Sequence, residues 1–107
     1  MAITYKDPVQ SAPSATTLTD IITTTTMIVA STLIVCNRSA TPTSFRVSVA
    51  PAGAADATSQ YIYYDVPIAG NDTFKATFGL SLASGSKIRV YATLATLSFS
   101  LFYAEVT

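Results

Sequence analysis

The chain has 107 residues, six basic against six acidic, with no histidine, no tryptophan and a single cysteine, Cys36. Charged residues make up 11%, where an average soluble domain carries about 25%. This leaves no electrostatic footprint for nucleic acid. The 50% hydrophobic share argues against disorder, and one cysteine cannot form an internal disulfide. The length suits one hydrophobic core. With zero net charge nothing disperses the molecule by repulsion, so its surface is expected to be covered by partners or by copies of itself. The competing reading is a free domain solvated by its 17 Thr and 12 Ser hydroxyls.

Residues 1–17 contain Pro8 and Pro13 and hold no sustained periodicity. They read as an extended N-terminal arm, either loosely ordered or laid on a neighbour, ahead of a single β-domain over residues 18–107. The start is too polar for a secretory leader. The longest apolar stretches, Met27 to Cys36 and Val90 to Ala104, fall short of the roughly 20 residues of a membrane helix, so no membrane is expected as a partner.

From Asp20 onward the chain reads as strands, rich in the Thr, Val, Ile, Tyr and Phe that pack across a pleated sheet. Asp20 to Thr23 is short and is expected to pair with the next strand through the Thr24-Thr25 region. Thr26 to Asn37 is apolar on both faces, which predicts a strand covered on each side, the second cover being a neighbouring subunit. Phe45, Val47 and Val49 alternate with Ser44, Arg46 and Ser48, the pattern of a half-buried antiparallel strand. Tyr61 to Ile68 places Ile62, Tyr64, Val66 and Ile68 on one face and Tyr61, Tyr63 and Asp65 on the other. Phe74, Ala76 and Phe78, then Ile88, Val90 and Ala92, then Leu97, Phe99, Leu101 and Tyr103 repeat the period of two. Turn residues lie between these runs at residues 37–42, 51–59, 69–72 and 83–86. The spacing predicts an all-β fold, an antiparallel β-sandwich of jelly-roll or immunoglobulin-like type with about seven or eight short strands.

Little chemistry fits this inventory. Without histidine there is no Ser-His-Asp or Cys-His arrangement, and one cysteine supplies no zinc site. The four glycines are too dispersed to cradle a phosphate. Asp20, Asp56, Asp65 and Asp72 sit at strand ends and turns, where Asp serves the backbone, and no loop has EF-hand spacing. No catalytic residue, cofactor or metal is therefore assigned. Asn37-Arg38-Ser39 and Asn71-Asp72-Thr73 match the glycosylation sequon but read as turns.

Contact residues are a better fit. Alternation sets Tyr61 and Tyr63 against Tyr64, so one side meets the core and the other presents a hydroxyl-tipped apolar patch, with Tyr61 and Tyr63 as the outward pair. Arg38 and Arg46 are candidates for ion pairs between subunits, although a solvated charge is the commoner outcome. Tyr5, Pro8 and Pro13 are the arm's candidate contacts. Cys36 reads as a small core residue at a strand end.

Ile34-Val-Cys-Asn-Arg-Ser-Ala-Thr41, followed by Phe45-Arg-Val47 and Pro51-Ala-Gly53, is similar to small virion proteins of tailed bacteriophages. Tyr61-Ile-Tyr-Tyr-Asp-Val66, Asn71-Asp-Thr73, Ile88-Arg-Val-Tyr-Ala92 and Leu97-Ser-Phe-Ser-Leu-Phe102 continue the resemblance, which runs from about Gln10 to the end. The family pattern closes on Phe-Gly, where this chain has Phe102-Tyr103. The resemblance implies a non-enzymatic virion component present in many copies, either a head decoration (cement) protein or a part of the tail, baseplate or fibre. Its expected partners are copies of itself, in a trimer or other closed oligomer, and the major capsid or tail proteins. A short single domain with an arm and little charge favours decoration. A free carbohydrate-binding sandwich is the third reading, and the absence of tryptophan weighs against it.

Overall fold

The computed structural model describes residues 2–107 as two antiparallel sheets packed face to face, a β-sandwich of nine strands. In chain order these are β1 (Ile3–Tyr5), β2 (Val9–Ser11), β3 (Thr19–Thr23), β4 (Met27–Asn37), β5 (Thr43–Ala50), β6 (Tyr61–Ile68), β7 (Thr73–Leu82), β8 (Lys87–Ala92) and β9 (Leu97–Val106). The first sheet has the order β1-β9-β4-β7, with β2 also on β9, and the second has the order β3-β8-β5-β6. Apart from β1–β2 and β5–β6, every connection passes from one sheet to the other. Seven of the strands, β3 to β9, coincide with the seven segments expected from periodicity.

The core lies between the sheets and is built by the inward rows of both. Ile28, Leu33, Val35, Phe99 and Leu101 from the first sheet meet Phe45, Val47, Ile88 and Val90 from the second, all at 1% exposure or less. Phe45 sits at the centre, with ring centroids 5.0 Å from Phe74 and 6.0 Å from Phe99. Tilted and edge-on approaches at such distances let the ring quadrupoles attract while the rings fill space.

Each end of the sandwich is tied by one buried polar side chain. Asn37, 1% exposed, donates from Nδ2 to the carbonyls of Thr41 and Ala69 and accepts at Oδ1 from the Ser39 amide and the Thr96 hydroxyl. All its hydrogen-bonding capacity is used, which joins three connections that cross between the sheets. A side-chain amide so engaged is a structural latch rather than a glycan acceptor. At the opposite end, Thr24 Oγ1 donates to Ala83 and accepts from the Ser86 amide, joining the β3–β4 and β7–β8 turns.

Several expectations are corrected here. β3 pairs with β8 in the second sheet and makes no hairpin with β4, because Thr24 and Thr25 carry the chain across to the other layer. The N-terminal segment is not a free arm: β1 and β2 extend β9 of their own chain, from Ile3 opposite Val106 to Ser11 opposite Phe99. These two three-residue strands raise the count from seven to nine, and they were hidden from periodicity by their brevity and by Pro8 between them. Pro13 is buried, so it cannot serve as a contact residue.

β6 holds the most consequential correction. Phe45 faces Val66 and Val47 faces Tyr63, so Tyr64 and Asp65 together oppose the single residue Arg46. Two residues against one is a β-bulge, and Asp65 completes it at φ 51°, in the left-handed region that Asp tolerates better than most residues. The bulge reverses the alternation, and a second register shift, where Tyr63 faces Val47 but Tyr61 faces Ser48 with Ile62 extra between them, reverses it again. Val66 and Ile68 point inward after it, and Tyr63 points inward before it, packed on Phe74 at 5.5 Å and Phe45 at 6.4 Å. Tyr63 is thus a core-facing residue, and Tyr64, 59% exposed, takes the outward place.

Candidate functional site: the two outer sheet faces

Both outer faces of the sandwich are open, and they differ in chemistry. On the first sheet, β4 and β9 occupy the middle. Their outward rows are Met27, Val29, Thr32, Ile34 and Cys36, and Ser98, Ser100, Phe102, Ala104 and Val106. None of these ten is charged. Thr32, Ile34 and Cys36 are half-buried by their sheet neighbours alone, while Met27 is 49% exposed. A further bulge, at Ser31, turns β4 so that its apolar residues appear on both sides: Ile28 and Ala30 point inward before it, Leu33 and Val35 after it. The expected two-sided strand is therefore present, with its second side open in this chain. Cys36 belongs to that outer row, opposite Ser98 and Thr73, because Val35 and Asn37 on either side of it take the inward positions. The expectation of a core cysteine is corrected accordingly.

The N-terminal strand borders this face. Ile3 and Tyr5 on β1 are 62% and 86% exposed. With Val29, Ser31, Phe102 and Lys6 they line a recess of about 450 Å³ at one end of the face. Lys6 reaches Glu105 at 3.7 Å. Pro8, half-buried, lies in the short link between β1 and β2.

The outer face of the second sheet is charged and internally neutralised. Arg46 donates from Nε to Asp65 Oδ1 at 2.6 Å and from Nη2 to Oδ2 at 3.3 Å. Its guanidinium lies 4.1 Å from the Tyr64 ring centroid and 4.5 Å from that of Tyr91. The hydrogen bond to Asp65 holds this guanidinium above its already high ordinary value, so it stays charged. Tyr61 stands edge-on to Tyr64 at 5.2 Å and donates its hydroxyl to Asp56 at 3.3 Å. Burial, reinforced by that hydrogen bond, pushes the Tyr61 phenol up. Beside them Asp20 accepts from Lys87 at 2.9 Å and Arg89 at 3.1 Å. The Lys87 hydrogen bond is the largest influence holding the Asp20 carboxyl below its usual range.

The residues expected to make contacts are thus scattered. Tyr5 is exposed at the rim of the first face, and Tyr61 belongs to the second. Tyr63 and Pro13 are turned inward. Arg46 is paired within its own chain, which removes it as a partner for a carboxylate on another subunit. Arg38 is exposed at a loop and donates to the Ala95 carbonyl at 3.2 Å. The Arg46–Tyr64–Tyr91 stack escaped sequence reasoning. Tyr91 is the β8 register partner of Arg46, and the bulge brings Tyr64 alongside; neither pairing is local in the chain. Among the described residues, no three Asp, Glu or Cys side chains gather as a metal-binding group, and no helix is long and apolar enough to cross a membrane.

No family model, curated protein or solved structure matches this chain.

Proposed function

We propose that this chain is a non-enzymatic structural subunit of a tailed-bacteriophage virion, a decoration or cement protein of the head, which assembles through its open apolar face. The observation that carries the reading is the uncharged outward rows of β4 and β9 in the middle of a sheet. A strand that is apolar on both sides is ordinarily covered on both. Apolar surface rimmed by polar residues, here Lys6 at one margin and Lys75 on β7 at the other, has the arrangement of a protein interface. Support also comes from the zero net charge and from the resemblance of residues 34–53 and 61–102 to small virion proteins. Ile3 and Tyr5 bring the N-terminal strand to the same face, so arm and sheet contacts become one surface.

Separating heads from tails after particle disruption, then probing each fraction for the chain, tests the proposal. Recovery with heads is expected. Recovery with tails alone would move the subunit to the tail, baseplate or fibre, and absence from particles would end the virion reading.

A further inference from the structure

The occupant of the open face can be named, on the reading that this face is an assembly surface. We infer that it is a second copy of this chain, packed sheet on sheet about a two-fold axis that runs along the strands between β4 and β9.

Area is the first argument. β4 has eleven residues and β7 and β9 have ten each. At about 3.4 Å per residue and 4.8 Å between strands, the four strand positions present a footprint of about 650 Å². Stable interfaces remove roughly 800 Å² per partner once side-chain relief is counted, so the whole face is about the area that a dimer needs. A small ligand would cover only the recess at one end.

Charge is the second. The two-fold places β4 of one copy over β9 of the other, uncharged row on uncharged row. It also carries β7 over the partner's N-terminal strands. Lys75 is level with Ile34, and so with Ser100 and Gln10 in the register across the sheet. Its counterpart across the interface is therefore the amide of Gln10, and no lysine faces a lysine. The second sheet, whose ions are paired within the chain, is left outward as the polar side of the pair. The same operation brings Met27 of the second copy over the recess between Ile3 and Phe102, and a flexible thioether fills such an irregular gap well.

The purified full-length chain provides the test, with mass measured by light scattering and sedimentation over a concentration series. A monomer–dimer equilibrium is expected. Ile34→Lys and, separately, Thr32→Lys each set an unpaired charge at the middle of the interface, and should weaken the dimer at least about a hundredfold. Tyr64→Lys, on the opposite face, should leave it unchanged. Circular dichroism and a cooperative unfolding transition establish that each variant folds. Cys36 is a native reporter of the same face, and its rate of alkylation by a maleimide should fall as dimer forms. A wild-type monomer at all concentrations, a dimer indifferent to both lysine variants, or a constant Cys36 rate would overturn the inference. Particle association separates this from the virion proposal. A monomer whose head binding is lost in Ile34→Lys would transfer the face to a shell protein, whereas a dimer absent from particles would defeat only the virion reading.

Discussion

Tyr63→Ala measures whether the β6 bulge decides which tyrosine stabilises the fold. Tyr63 packs edge-on to Phe74 at 5.5 Å and tilted to Phe45 at 6.4 Å, and it is half-buried. Truncating a fully buried aromatic costs about 3–5 kcal/mol. Partial exposure lowers this to about 2–3 kcal/mol, including about 0.5–1.5 kcal/mol for each ring pair. For a chain of this size that corresponds to a fall in Tm of roughly 10 °C. Tyr64→Ala removes a ring that is 59% exposed and a stack on Arg46 at 4.1 Å, worth about 0.5–1 kcal/mol. Urea unfolding at constant m-value reads both. A double-mutant cycle of Tyr63→Ala with Phe74→Leu should show coupling of about 0.5–1.5 kcal/mol. Should Tyr63→Ala cost under about 1 kcal/mol, or less than Tyr64→Ala, the side chain points outward and the reversed alternation is wrong.

Two further outcomes bear on the turns and the charged face. Gly70→Ala should destabilise the fold by about 1–3 kcal/mol, since a Cβ there overlaps the Ala40 backbone carbonyl and neither chain segment is the flexible end of a side chain; the same substitution at Gly79, where a Cβ meets nothing within 4 Å, is the control. Acid unfolding should show the Asp20 cluster. The folded carboxyl is held below its ordinary value of 3.8, so its contribution is complete above that pH and is lost as pH falls through the lower folded value. With Asp20 41% exposed the contribution is at most about 1 kcal/mol. Asp20→Asn should therefore reduce stability at neutral pH and converge with wild type in strong acid. A constant difference across the titration would show that the carboxylate charge is irrelevant.

Alternation marked the seven strands from Asp20 onward, the inward rows of β5, β7, β8 and β9, and the two-layer architecture. A period of two with one apolar face has few other ways to bury itself. It also marked β4 as apolar on both sides, which is the feature on which the assembly surface rests. Tertiary structure decided what alternation cannot express. The irregularities at Ser31, Ile62 and Asp65 each add one residue, and one residue moves a row to the other face. That is why Tyr63 went inward and Tyr64 outward. The pairing of β3 with β8, and of Ile3 and Val9 with β9, joins residues that lie far apart in the chain. Three-residue strands also carry too short a pattern to be seen beforehand. The stack of Arg46 between Tyr64 and Tyr91 depends on both kinds of information, a register and a bulge, so it exists only once the sheet is assembled.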